Sequence, residues 1–369
     1  MEFANLKAQY QAYKLEMDQA ILQVVSSGRY IMGEEIQALE QGLSNFTEVK
    51  YSLACSSGTD ALVMALMALG VGRGDEVITT PFTFIASAEA IALVGATPVF
   101  ADIEEHTFNI SPREIERRIS NKTAAIIPVS LFGLPCDMDA INAIAKTGKI
   151  SVIEDAAQSF GATYNGLRSC NLSELAATSF FPAKPLGCYG DGGAVFTCDA
   201  GLYEKLKSIR SHGELTRYNH HNLGINGRMD EIQAAILNVK LKYYGDEIEQ
   251  RRHLARRYNA LLRDLSGILL PMDNELITAN SVFAQYTIRV KNRTNFIASL
   301  SQANIPTAVH YPIPLHLQPV FADLNLKAGE YPVAEKVCAE VVSLPMSAFL
   351  TEQEQNEILA AVKIASAQV

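Results

Sequence analysis

Seven short apolar runs rich in β-forming residues recur along the first 200 positions, with helical patterns between most of them. Several are apolar on consecutive rather than alternate positions, which is typical of strands buried on both faces of a mainly parallel sheet. Strands and helices in this order predict an open α/β domain with a seven-stranded sheet between helices. The seven runs are 51–57, 76–80, 97–103, 124–133, 150–157, 176–183 and 193–199.

The pattern changes after residue 228, where a long charged helix begins. It leads into weaker strand patterns such as SVFAQYTIRV, a loop with four prolines over residues 305–319, and a terminal helix. We predict a large α/β domain over residues 1–245, with an N-terminal helix packed alongside, and a smaller α+β domain over residues 246–369.

Composition restricts the class of protein. Apolar residues make up 48% and charged residues 19% of the 369 positions, as in ordinary globular proteins. The net charge is -9 and the basic residues are scattered, so no nucleic-acid partner is expected. The start resembles no signal peptide and the apolar runs are too short for a membrane span. The six cysteines form no Cys-x-x-Cys pair, so we expect free thiols in a reducing cytoplasm.

The first candidate site follows the first predicted strand. Ser57, Gly58 and Thr59 join this strand to a helix. The N–H groups at a helix start lack partners and the helix dipole favours an anion, so a phosphate can bind there. An ordinary helix cap by Ser57 or Thr59 is the alternative.

Asp155 ends the fifth predicted strand, ISVIED. A carboxylate at the end of a buried strand is costly unless it has a partner, and a cationic ring nitrogen is one such partner. A helix cap or a structural salt bridge is the alternative. Gln158, three residues further on, can reach the same ligand.

Lys184 follows the sixth predicted strand and precedes a glycine-rich turn, KPLGCYGDGG. A partly desolvated lysine has a lowered pKa and can act as a Schiff-base nucleophile, whereas a solvated loop lysine is the alternative. The turn lacks the Gly-x-Gly-x-x-Gly spacing and the following helix of a dinucleotide site, which disfavours a nicotinamide oxidoreductase.

Together these features place a phosphate turn, an acid and a lysine at the ends of three strands, where ligands of open α/β sheets bind. Pyridoxal 5'-phosphate (PLP) requires these three groups: an anchor for its phosphate, a carboxylate for its ring nitrogen and an amine for its aldehyde.

Six segments resemble the DegT/DnrJ/EryC1/StrS family of sugar aminotransferases over nearly the whole chain. The resemblance implies the aspartate-aminotransferase-like (type I) PLP fold and a homodimer with shared active sites. The segments are SSGTDAL, TPFTFIAS, VIEDAAQSFGA, TSFFPAKPLGCYGDGGA, GINGRMDEIQAAIL and HYPIPLHLQP.

The resemblance also implies roles for individual residues. Lys184 would form the Schiff base and move the proton, and Asp155 would pair with the ring nitrogen. Gln158 would bond the ring hydroxyl, and Phe84, rather than Phe82, would stack on the ring. The residues implied to bind the phosphate are Gly58, Thr59, Ser179 and, from the neighbouring subunit, Asn226.

The substrate is implied by resemblance alone. Two segments are most similar to one subgroup of the family: RSCNLSELAATSFFPAKPLGCYGDGG and the region 284–319. This subgroup aminates UDP-2-acetamido-2-deoxy-3-oxo-glucuronic acid. L-Glutamate is the amino donor and leaves as 2-oxoglutarate, while PLP alternates with pyridoxamine phosphate (PMP). This sugar belongs to bacterial surface polysaccharide (O-antigen) synthesis. Arg228 is a candidate for a carboxylate, with an ion pair to Asp230 or Glu231 as its alternative. His310 and Tyr311 are expected to approach the nucleotide sugar.

Three other functions remain as alternatives. Another UDP- or dTDP-keto sugar is the nearest. A sugar dehydratase of the same family carries histidine where Lys184 stands, which argues against that activity. A non-catalytic PLP-binding or nucleotide-sugar-binding regulator is the third. No metal is expected, because the histidines lack carboxylate or thiol companions at metal-site spacing.

Overall fold

The structure is a computed structural model that describes residues 1–270 and 275–367. Twelve α-helices lie within these residues. They are α1 (Leu6–Ser27), α2 (Glu34–Thr47), α3 (Gly58–Leu69), α4 (Ala86–Leu93), α5 (Pro112–Arg118), α6 (Met138–Gly148), α7 (Ala200–Arg210), α8 (Glu231–Leu262), α9 (Glu275–Asn280), α10 (Arg293–Gln302), α11 (Pro332–Glu340) and α12 (Glu352–Ser366).

Fourteen strands lie in the same described part of the chain. They are β1 (Tyr51–Cys55), β2 (Glu76–Thr79), β3 (Thr97–Phe100), β4 (Thr123–Ile127), β5 (Ser151–Asp155), β6 (Thr163–Tyr164), β7 (Leu167–Arg168), β8 (Leu175–Ser179), β9 (Gly193–Thr197), β10 (Glu214–Thr216), β11 (Asn219–His220), β12 (Ile268–Leu269), β13 (Tyr286–Val290) and β14 (Val341–Leu344).

All seven predicted runs form strands of one sheet, in the order β1-β9-β8-β5-β4-β2-β3. Only β9 is antiparallel to its neighbours β1 and β8 in this sheet, and every other pair is parallel. The prediction of a mainly parallel seven-stranded sheet is therefore confirmed. Because parallel strands end at one edge, the ends of β1, β5 and β8 meet on the same side of the molecule.

Consecutive apolar residues in the strands serve two different cores. In β1, Leu53 and Cys55 pack in a cluster with α3, while Ala54 packs in a cluster with α2 and α8. In β8, Ala177 packs in the cluster with α3, and Ala176 packs in the cluster with α2 and α8. Side chains of a strand alternate between faces, so an apolar run is what a sheet covered by helices on both sides requires.

The C-terminal part contains the antiparallel sheet β12-β13-β14 with α10, α11 and α12. One apolar cluster joins it to the first part, combining Phe82 and Phe132 with Tyr286 and Ile358. The predicted division at 245/246 lies within α8, which runs continuously through it. The C-terminal part thus packs against the loops that follow β2 and β4, next to the carboxyl edge of the large sheet.

The six cysteines are free, and all but Cys198 are buried. Across residues 1–270 and 275–367, no helix combines the length and the apolar character needed to cross a membrane.

Candidate active site

A cavity of about 510 Å³ opens at the carboxyl ends of β1, β5 and β8. Its wall also includes the loops after β2 and β4 and two segments of the C-terminal part. Nine of the residues predicted from the sequence line it. They are Gly58, Thr59, Phe84, Asp155, Gln158, Ser179, Lys184, His310 and Tyr311.

One end of the cavity is formed by the first turn of α3. The Ser57 hydroxyl caps this helix by accepting from the Asp60 N–H at 3.0 Å, so the capping alternative holds for Ser57. The N–H groups of Gly58 and Thr59 precede the first intrahelical bonds. A Cβ on Gly58 would lie 2.6 Å from the Cβ of Ser179, so the helix start and the end of β8 touch directly. Amide, hydroxyl and helix dipole converge there, as an anion site requires.

Asp155 lines the cavity and is 5% exposed. Its carboxylate accepts from the Ser87 hydroxyl at 2.8 Å and from the Ala157 N–H at 3.2 Å. Burial raises its pKa, and these two donors together with the charge of Lys184 act in the opposite direction. Among the described residues it forms no salt bridge, which leaves it available to a cationic ligand atom.

Gln158 is held in a fixed orientation. Its Oε1 accepts from the Phe132 N–H at 2.7 Å, and its Nε2 donates to the Tyr311 hydroxyl at 3.1 Å. Since the carbonyl oxygen is already used, the amide NH₂ is the part that can donate further. Burial raises the pKa of Tyr311, so the phenol stays protonated. Tyr311 was predicted only as a substrate residue, but it also contacts this cofactor-site glutamine.

Lys184 lies on the turn between β8 and β9 and lines the cavity near Asp155. Burial lowers its pKa, and the negative charge of Asp155 partly offsets this effect. A lysine with a lowered pKa retains more of the neutral, nucleophilic amine near pH 7.

The two phenylalanines of the segment PFTF have different environments. Phe82 is fully buried in the apolar cluster shared with the C-terminal part. Phe84 is 54% exposed and lines the cavity, with its ring centroid 6.2 Å from that of Tyr311. Phe84 is therefore the ring that a bound aromatic ligand can contact.

His310 enters the cavity from the proline-rich loop. Its Nδ1 lies 3.1 Å from the Ser343 hydroxyl on β14. Burial lowers its pKa, and the charge of Lys184 lowers it further, which favours neutral imidazole.

Asn226 and Arg228 lie outside this cavity. Asn226 is exposed and forms an isolated bridge with Ser211. Arg228 has no salt bridge within residues 1–270 and 275–367. Its proposed alternative partner Glu231 accepts instead from three N–H groups at the start of α2, those of Gly33, Glu35 and Ile36.

Ser87 and Gln285 are among the cavity residues that were not identified from the sequence. Ser87 on α4 bonds Asp155, but a serine in a helical pattern carries no signal of such a partner. Gln285, just before β13, lines the cavity, and its buried Oε1 has no hydrogen-bond partner among the described residues. A buried acceptor without a donor is uncommon in a native protein and indicates a missing partner.

The residues present fit PLP. The α3 turn with Ser179 provides an anion site, Phe84 an aromatic face, and Lys184 an amine of lowered pKa. Asp155 provides a buried carboxylate that has no salt bridge to any residue the structure describes. These groups line one cavity, in the combination that the cofactor requires.

Comparison with known proteins agrees with this fit. The model of the DegT/DnrJ/EryC1/StrS aminotransferase family matches residues 11–363. A Pseudomonas aeruginosa protein named UDP-2-acetamido-2-deoxy-3-oxo-D-glucuronate aminotransferase is 50% identical over 98% of this chain and 99% of its own length. A Geobacillus stearothermophilus protein named pleiotropic regulatory protein is 47% identical over 96% of this chain and 95% of its own length.

The crystal structure of S. venezuelae DesV in complex with a ketimine intermediate superposes with a TM-score of 0.96 at 38% identity, covering 100% of this chain and 99% of that one. The predicted type I PLP fold is thereby confirmed. Aminotransferases of this family use PLP, and structural neighbours are in its PLP and PMP forms. With the sheet, the cavity and the matched length in agreement, this chain belongs to the DegT/DnrJ/EryC1/StrS aminotransferase family.

Proposed function

We propose that this chain transfers the amino group of L-glutamate to carbon 3 of UDP-2-acetamido-2-deoxy-3-oxo-D-glucuronate. The observation that carries the reaction type is the pair formed by Lys184 and Asp155, which line one cavity and have pKa values shifted in opposite directions by burial. The substrate is supported by the name of the relative that is 50% identical over nearly its whole length.

PLP, when bound, supplies an electron sink for the negative charge that develops on the substrate carbon. In our proposal Asp155 keeps the ring nitrogen protonated through a buried ion pair, and Ser87 fixes the orientation of that carboxylate. The Gln158 NH₂ donates to the ring hydroxyl, since its Oε1 is already bonded to Phe132.

Lys184 moves the proton in both halves of the reaction. Its neutral amine would accept the proton from the α-carbon of glutamate, and the resulting ammonium would donate that proton again within the same cavity. In the second half the direction reverses, and the proton reaches carbon 3 of the sugar. The lowered pKa of Lys184 suits both roles, because the amine must gain and lose a proton near neutral pH.

We further propose a homodimer in which Asn226 and Arg228 complete the site of the other subunit. Both substrates carry carboxylates, yet within the described residues no arginine lines the cavity. Arg228, which has no salt bridge in that part of the chain, offers a fork that matches a carboxylate. Asn226, two residues earlier in the sequence, is exposed and would contact the phosphate.

Subunit complementation tests the shared site. Lys184→Ala and Asn226→Ala each inactivate their homodimers in this scheme, but a mixed dimer has one complete site. Mixing under subunit exchange should restore about a quarter of wild-type activity, because about half of the dimers are mixed and each has one working site. Two inactive variants that never regain activity on mixing, despite exchange shown by differently tagged subunits, contradict the shared site.

The substrate is tested by mass spectrometry of products formed from UDP- and dTDP-linked keto sugars with glutamate. We expect a 3-amino product from the 3-oxo uronic acid, and none from Lys184→Ala, whereas Lys207→Ala, at an exposed position of α7, should retain activity. A product only from a 4-keto-6-deoxy sugar contradicts the substrate. Such amination fits the supply of amino sugars for bacterial surface polysaccharide (O-antigen) in the cytoplasm.

A regulatory role is the second candidate, favoured by the name of the 47% identical relative. The two candidates differ in their need for Lys184 chemistry. A regulator that only binds PLP or a nucleotide sugar should show no turnover with any keto sugar, although it can retain the cofactor.

A further inference from the structure

The turn that carries Lys184, residues 180–192, is tightly folded on itself. The Phe180 N–H donates to the Gly192 carbonyl at 2.7 Å, and the Lys184 N–H donates to the Phe181 carbonyl at 2.8 Å. Gly187 lies against the start of the same turn, since a Cβ there would be 2.6 Å from the Phe181 oxygen. Any movement of Gly187 is therefore passed to the backbone beside Lys184.

Helix α8 holds this turn through two side chains that do not line the cavity. The ammonium of Lys240 donates to the Gly187 carbonyl at 2.6 Å and lies 4.4 Å from the centre of the Tyr189 ring. Gln233, two helical turns earlier on the same face, accepts from the Tyr189 N–H at 3.0 Å. Two polar side chains of one helix thus fix two consecutive parts of the turn.

Lys240 is only 1% exposed, which is unusual for a lysine that serves packing alone. Burial lowers its pKa to about 8, while the nearby charge of Glu247 and the thiol of Cys188 raise it. An apolar side chain of similar length would fill this position without that cost. What the ammonium adds is a directed bond to Gly187.

We propose that Lys240 is a positioning residue that holds Lys184 at its place in the cavity through the Gly187 carbonyl. The inference rests on the proposed role of Lys184 as the residue that binds PLP. Without the Lys240 ammonium the Gly187 carbonyl loses its bond to α8, and the amine of Lys184 takes a less fixed position relative to Asp155 and the cofactor.

The test compares Lys240→Met with Lys242→Met. Lys242 lies on the same helix but is exposed and pairs with Glu16 at the surface, so it controls for loss of a lysine from α8. For each purified protein, the visible absorbance of the lysine-bound cofactor is titrated against pH, and kcat and KM are measured for glutamate. Thermal unfolding shows that each variant is folded.

We expect Lys240→Met to move the midpoint of the absorbance titration and to lower kcat by about 10- to 100-fold at nearly unchanged KM. Lys240→Arg, which keeps a charged donor, should recover part of both effects, and Lys242→Met should match wild type. A folded Lys240→Met protein with a wild-type titration and kcat overturns the inference.

If Lys240→Met does not fold, Lys240→Gln provides the same comparison, because the shorter, uncharged side chain removes the ammonium that bonds the Gly187 carbonyl. A wild-type midpoint and kcat in that variant then overturn the inference. Failure of the proposed function is recognised separately: wild-type protein would then form no visible band with PLP, or Lys184→Ala would form the same band.

Discussion

The contact between Gly58 and Ser179 allows a direct test of the phosphate site. In Gly58→Ala the new Cβ would lie 2.6 Å from the Ser179 Cβ and 3.2 Å from its Oγ. Aliphatic carbons approach to about 3.5–4.0 Å, so the start of α3 and the end of β8 must separate by about 1 Å. The contact at 2.6 Å is to a Cβ, whose place is fixed by the backbone at the end of β8, so rotation of the Ser179 hydroxyl cannot relieve it.

The expected result is a loss of cofactor affinity. A separation of about 1 Å removes at least one hydrogen bond to a phosphate bound between Gly58, Thr59 and Ser179. A hydrogen bond to a charged group contributes about 1.5–3 kcal/mol. We therefore expect the dissociation constant for PLP to rise roughly 10- to 150-fold.

The assay is titration of cofactor-free protein with PLP, followed by absorbance, together with thermal unfolding with and without PLP. Gly245→Ala is the matched control, because Gly245 lies in α8 with open space around the added Cβ. It should bind PLP as wild type does and gain up to about 1 kcal/mol in free energy of unfolding. A Gly58→Ala protein that is folded and binds PLP within twofold of wild type refutes the assignment of this turn to the phosphate.

Three further changes test other parts of the site. Asp155→Asn should keep PLP bound but lower the rate of amino transfer by about 100- to 1,000-fold, because an amide cannot stabilise a protonated ring nitrogen. Absorbance in a single turnover with glutamate measures this rate, and a near-wild-type value contradicts the pairing of Asp155 with the ring nitrogen. Gln285→Leu should raise the KM for the keto sugar about tenfold and leave the glutamate half-reaction unchanged, if the substrate supplies the missing partner of its Oε1. The test is to measure the glutamate and keto-sugar half-reactions separately. An equal loss in both half-reactions would point to a structural role for Gln285. For Lys240, burial lowers the pKa from 10.5 to about 8, so between these pH values the unfolded state binds more protons than the folded state. The free-energy cost of burying the charged lysine is therefore fully present below pH 8 and fades as the pH rises towards 10.5. The free energy of unfolding of wild type minus that of Lys240→Met should therefore increase by roughly 2–3 kcal/mol between pH 7 and pH 10 in denaturant unfolding, whereas a constant difference contradicts the lowered pKa.

Much of the sheet and of the site could be predicted because both depend on local patterns. An apolar run predicts a strand with two covered faces. Asp155 and Ser179 lie within two such runs, and Lys184 directly follows the second. Parallel strands bring their ends together, so residues far apart in sequence were expected to share one site before any distance was known.

Contacts made across the fold could not be predicted in this way. Lys240 lies in a helix full of charged residues, where nothing in the periodicity distinguishes a buried ammonium from an exposed one. The bond between Gln158 and Tyr311 joins residues 153 positions apart. Gln285 is one polar residue in a weak strand pattern, and its importance depends on which segments of the C-terminal part close over the sheet.

The opposite pKa shifts of Asp155 and Lys184 connect the stability of this fold with its chemistry. Burial disfavours the charged form of each group, so both are held at a cost in the protein without its cofactor. A protonated ring nitrogen beside Asp155 would remove that cost for the carboxylate, and a covalent bond to the cofactor would remove it for the amine. The cofactor should therefore stabilise the folded protein by more than its phosphate contacts alone contribute, because it compensates two buried groups that no other described side chain neutralises through a salt bridge.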